Sequence, residues 1–169
     1  MAPTPPKPDI DDLNPKGFFA DIVGALSGTL QEVVGMDEAS AFVARVGDDM
    51  GRSIANLYRD DTGTLPGKPA EIGRILCDLK QRIGGHFELV EAGPDKLVFT
   101  ASTCPFGARV EGRPSLCMMT TNVFGRIAAQ ANGYASVQID EALSLGHSRC
   151  HVTVHLARSE DDDIYEFFA

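Results

Sequence analysis

Apolar residues recur at three- and four-residue spacing from Phe18 onward, at Phe19, Ile22, Val23, Leu26, Leu30 and Val33, which predicts a helix that stops at Gly35. Asp37 is placed to cap a second helix, with Phe42, Val46, Met50, Ile54 and Leu57 on one face. Gly47 and Gly51, four apart in it, permit close helix packing. The run at 60–69 is rich in Gly, Pro and Asp and reads as a loop. A third helix carries a narrow stripe of Ile72, Ile75, Leu76, Leu79 and Ile83, ended by Gly84 and Gly85.

The period then changes. His86 to Glu91 and Lys96 to Thr103 read as strands joined by the turn Gly93-Pro94-Asp95. Pro114 or Ser115 opens a fourth helix along Leu116, Met119, Val123, Ile127 and Ala131, which Asn132 and Gly133 end. Tyr134 to Ile139 and Arg149 to Leu156 complete the strands. The order predicts an α+β fold: N-terminal helices, then an antiparallel sheet from two strand pairs with the intervening helix packed on it. Residues 17–157 form the single domain. Residues 1–16 hold five of the ten prolines and read as a flexible arm, and residues 158–169 as an acidic and then aromatic tail.

A formal net charge of −9, with basic residues scattered singly, argues against direct nucleic-acid binding. The N-terminus lacks the pattern of a secretory signal, and the stretch Phe18 to Val34 is too polar to span a bilayer. No membrane association is therefore expected, and a cytoplasmic location is. In that compartment four cysteines point to metal or redox chemistry, or to plain burial, before disulfides. The apolar N-terminal helices offer surface for a homodimer, and Ile164 to Phe168 a segment that docks on a partner protein or sister subunit.

Three cysteines stand in places that suit thiolate chemistry. Cys104 ends a strand ahead of Pro105, which restricts its backbone. Cys117 lies in the first turn of a helix, where unpaired N–H groups and the positive end of the dipole favour an anion. Cys150 shares strand parity with Val152, Val154 and Leu156 and so faces the core, whereas His147 and His151 take the other parity. No CxxC is present. Burial alone accounts equally for any one of them.

The segment TCPFGARVEGRPSLCMM, then a helix ending at NG, a strand, and GHSRCHVTVHL, resembles the methanogen output domain, which is related to the 4-vinyl reductase domain. It is also similar to the C-terminal sensory region of the iron–sulfur repressors of cluster-assembly operons. The resemblance covers about residues 70–157. It implies that Cys104, Cys117 and Cys150 ligate a 4Fe–4S cluster in a sensory domain that responds to redox, oxygen or nitric oxide and signals to a partner. The chain has no winged helix, so repression is not implied. Cys77, off the apolar stripe of its helix, is the candidate fourth ligand. Arg109 and Arg113, between the first two cysteines, are candidates to offset cluster charge. The alternative is a small-molecule-binding module whose cysteines are structural or hold zinc. An enzyme ranks last, because no convergent acid–base pair is evident.

Overall fold

The computed structural model describes residues 13–158 and 164–169. Most of the Pro-rich arm read at 1–16, and the acidic run Asp161 to Asp163, lie outside the described residues. Among the described residues four α-helices, α1 (Pro15–Val34), α2 (Met36–Leu57), α3 (Pro69–Arg82) and α4 (Cys117–Asn132), accompany five strands. These are β1 (His86–Ala92), β2 (Lys96–Thr103), β3 (Tyr134–Glu141), β4 (Cys150–His155) and β5 (Tyr165–Phe168). The strands form one sheet in the order β1-β2-β4-β3-β5, with every pairing antiparallel. The α+β class and both strand pairs are those expected from the sequence.

The tail differs from its expected role. Tyr165 to Phe168 pair with Val137 to Tyr134 as the edge strand β5, so the aromatic end belongs to the domain. Phe167 is buried, and its ring lies where a Cβ on Gly125 of α4 would stand, 2.1 Å from ring carbons. Only glycine at 125 lets the strand dock there.

Apolar residues of α3 and α4 (Ile72, Leu76, Phe124 and Ile127) cover the sheet positions Leu97, Phe99, Val137 and Val154 to make the core. The Phe124 ring contacts Phe99 and Phe87 at centroid separations of 5.3 and 5.6 Å. α2 stacks on the outside of α4, and α1 on α2. Asn14 caps α1 by accepting from the Gly17 N–H, and Gly35 ends it with a φ of 91°. That same glycine starts α2, so Asp37 lies in the first helical turn and is not the cap. There its charge still faces the positive end of the dipole.

The first two helices turn their small residues inward, as the Gly47 and Gly51 spacing allows, and leave much of their apolar surface outside. α2 buries Ala39, Val43, Gly47, Gly51 and Ala55, while Phe42 (58% exposed), Val46 (53%), Met50 and Leu57 face outward. Close approach decides this. A Cβ at Gly47 would fall 2.9 Å from the Asn122 Cβ, and one at Gly51 2.8 Å from the Arg126 Cβ, so the small-residue stripe meets α4. On α1, Gly24 and Ser27 are buried, and Phe18, Phe19, Leu26 and Val33 are exposed. Among the described residues no helix is long and apolar enough to cross a membrane.

Candidate functional site

Cys104, Cys117 and Cys150 come together. Each is half-buried, and all three line one apolar cavity with Phe87, Ile139 and Val152. The local folding that delivers them is legible residue by residue. After β2 the chain turns at Cys104, whose carbonyl accepts from the Gly107 N–H at 2.9 Å. Pro105 packs on the turn after α3, where a Cβ at Gly85 would fall 2.9 Å from the proline ring. A 3-10 turn, Pro114 to Leu116, leads into α4 and is held to α1 through Ser115, whose hydroxyl meets those of Ser27 and the amide of Gln31, both at 2.7 Å. Cys150 starts β4 opposite Ala101, on the buried parity expected.

The turn Leu143 to Leu145 closes the site. Ser144 Oγ and Cys117 Sγ are 3.1 Å apart, and the Leu143 N–H donates to Cys150 Sγ at 3.5 Å. The Ser144 carbonyl accepts from the Gly112 N–H at 3.0 Å, which ties the turn to the loop ahead of α4. About 20 Å³ of the cavity admits the centre of a water-sized sphere, enough for one water. An open cleft of about 710 Å³ lies on the other side of the turn, lined by Thr103, Cys104, Glu111, Ser144 and His147. Cys104 and Ser144 line both spaces.

The electrostatics differ from the expectation for Cys117. Its N–H is taken by the carbonyls of Pro114 and Ser115, because the 3-10 turn runs ahead of the helix. Burial pushes the Cys117 thiol up, against the hydrogen bond from Ser144 and the Lys80 ammonium, which favour the thiolate. Burial likewise raises Cys104, opposed by the Phe106 N–H and by Lys80. Among the described residues, no three His, Cys, Asp or Glu side chains are grouped closely enough to hold a single metal ion.

Cys77 is not brought into the cavity. It is half-buried on α3 against β1, where burial raises its thiol and the Leu89 backbone bonds it. Arg109 pairs with Asp21 and so fastens the loop to α1, and Arg113 donates to the Arg109 carbonyl at 2.9 Å within the loop. His147 accepts from the Ala142 N–H through Nδ1 and lines the cleft. His151 Nδ1 pairs with Asp140 at 2.9 Å.

The residue that sequence reasoning missed is Lys80. It is 4% exposed, its Nζ donates to Thr120 Oγ1 at 2.7 Å, and it sits 5.0 and 5.2 Å from the centroids of Phe87 and Phe124. The available signal was its place four residues after Leu76 and beside Leu79, within the apolar stripe of α3.

No curated protein matches the chain in sequence. In fold it is similar to the phenol-responsive sensory domain of the transcription activator PoxR, solved with phenol. That domain is 17% identical, with a TM-score of 0.63 over 80% of this chain and 73% of that one. The family model described as methanogen output domain 1 matches residues 22–155, most of the chain, and the chain belongs to that family.

Proposed function

We propose that the chain is a sensory domain whose Cys104, Cys117 and Cys150 hold a 4Fe–4S cluster, and that it signals the state of this site to another protein chain. The convergence of these thiols from the end of β2, the start of α4 and the start of β4 on one apolar cavity carries the reading. The donor set suits the group: three soft thiol ligands, apolar walls that limit water, and a buried cation. Bound there, the cluster supplies one-electron chemistry and, at an iron without a cysteine, reactivity toward oxygen or nitric oxide. The cavity walls nearly meet, so loading requires the Leu143 to Leu145 turn, which borders the cleft, to move outward.

The residues around the thiols provide a relay. Ligation would take Cys117 Sγ from Ser144 and Cys150 Sγ from the Leu143 N–H, leaving the turn held to the loop ahead of α4 by the Ser144 carbonyl. Leu116 and Met119, on either side of Cys117, floor an apolar groove of about 330 Å³ between α1 and α2, walled by Leu26, Leu30, Phe42 and Val46. A shift at the start of α4 thereby reaches the outer helices. A second copy of the chain covers their exposed apolar face, giving a homodimer whose packing depends on Cys117.

Hydrogen exchange followed peptide by peptide tests the relay. Loading iron and sulfide without oxygen should change exchange at residues 142–149 and 114–120, and oxygen or nitric oxide should reverse it. Unchanged exchange in loaded protein would defeat the sensory reading.

A second reading places a small organic molecule in the same cavity, the cysteines being structural or holding zinc. The apolar lining favours it, as does the fold likeness to a phenol-responsive domain. An organic compound recovered by mass spectrometry from metal-free protein would support it.

A further inference from the structure

We infer that the cysteine cavity is built for an anionic occupant, with Lys80 as its resident counter-cation. For the identity of the anion, a thiolate-bound cluster, this rests on the function proposed above. Lys80 is buried at the centre of the fold, and among the described residues no carboxylate lies within ion-pair distance of it. Its neighbours are a hydroxyl and two ring faces, which stabilise a cation but do not neutralise it. Two of the three, Thr120 and Phe87, also line the cavity of the cysteines.

A buried ammonium without an anion is costly, and a fold tolerates it where a negative charge comes to meet it. The groups whose negative form would act on Lys80 are the three cavity cysteines. Burial pushes its pKa down to about 8, so at neutral pH it remains mainly the ammonium, and a negative charge on Cys104, Cys150 or Cys117 would favour that form further. Of the candidates from sequence, Arg109 pairs with Asp21, and Arg113 gives Nη1 to loop carbonyls while its buried Nε has no hydrogen-bond partner among the described residues; neither lines the cavity. Lys80 is a positioning residue: it ligates nothing and sets the potential felt by whatever the thiols bind. A thiolate-bound cluster meets this charge, whereas a neutral phenol does not.

The experiment uses the full chain, handled without oxygen, as wild type, Lys80→Met, Lys80→Arg and Thr120→Val. In metal-free protein, Cys104 is alkylated with iodoacetate and, separately, iodoacetamide, and read by peptide mass spectrometry. Both reagents attack the same thiolate, so the ratio of their rates reports the local potential and cancels the thiolate fraction. Lys80→Met should lower the ratio about threefold or more, the effect of losing one nearby positive charge. Lys80→Arg should keep it, and Thr120→Val, which loosens the Nζ anchor, should lower it by less. In protein loaded with iron and sulfide, Lys80→Met should also lower the fraction reduced at a fixed potential, because the added electron meets less positive charge.

An unchanged ratio in folded Lys80→Met overturns the inference, even where wild type assembles a cluster. A lowered ratio in a wild-type background that takes up no iron or sulfide removes the cluster and leaves the anion site standing. Should Lys80→Met fail to fold, an unchanged ratio in Thr120→Val decides against the inference. Recovery of a neutral organic ligand from the cavity also overturns it.

Discussion

Removing the Phe167 ring tests whether the C-terminal strand is part of the fold. Phe167 is 6% exposed and packs where Gly125 leaves room on α4, with the Arg126 guanidinium 5.9 Å from its centroid. An aromatic side chain buries roughly 150 Å² or more, which at about 25 cal/mol/Å² is worth about 4 kcal/mol in transfer. Phe167→Ala should therefore cost about 3–5 kcal/mol, a large share of the roughly 5–15 kcal/mol available to a domain. Gly125→Ala supplies the internal control. In the wild-type background the new methyl group meets the ring, and overpacking of about 1–3 kcal/mol outweighs the better helix propensity of alanine. In the Phe167→Ala background the obstruction is gone, and the same change should stabilise by about 0.5–1 kcal/mol. Urea denaturation followed by far-ultraviolet circular dichroism measures all four corners of the cycle. A Phe167→Ala cost below about 1 kcal/mol, or a Gly125→Ala effect of the same sign in both backgrounds, would refute the placement of β5.

Other expectations follow from the same contacts. Asp48 accepts from Arg126 at 2.6 Å and Arg52 at 3.0 Å. Burial pushes its carboxyl up, but the two arginines outweigh burial and hold it below the ordinary range. Its contribution is thus present above the unfolded carboxyl value near 4 and is lost as pH falls through the folded one. Thermal melts from pH 7 to pH 3 should show this acid-dependent loss, smaller in Asp48→Asn, and an identical slope in both proteins would contradict it. For the proposed homodimer, light scattering after size exclusion should find wild type as a dimer. The double variant Phe42→Glu/Val46→Lys should be a monomer with unchanged circular dichroism. A wild-type chain that is monomeric at every concentration would remove the dimer.

The strands and α4 were legible because their apolar positions keep a clean period and Gly or Pro marks their ends. The first two helices were legible as helices, and for α2 the glycine spacing also marked the packed side. The Gly47 and Gly51 spacing marked the close contact that α2 makes with α4, but the apolar face of Phe42, Val46 and Met50 did not say by itself whether it is inside or outside. β5 was missed because four residues carry too little period, and what secures them, the room at Gly125, is set by a helix forty residues away. At the site, strand parity placed Cys150 correctly, and the three cysteines converge on one cavity as their local contexts suggested. The 3-10 turn before α4 was not visible in sequence, and it takes the N–H that would otherwise serve Cys117. Cys77 was named for its residue type alone, and Lys80 escaped notice because a lysine in an apolar stripe reads as an interruption.

The most direct test of the central claim is metal and sulfide analysis with an absorption spectrum. It compares wild type with the Cys104→Ser/Cys117→Ser/Cys150→Ser variant, both purified without oxygen. The account expects a brown wild type with near-stoichiometric iron and sulfide and a broad visible band, and a folded, colourless variant that stays so after reconstitution. A triple variant that keeps its full metal and colour, or a wild type that remains colourless after reconstitution, would contradict it.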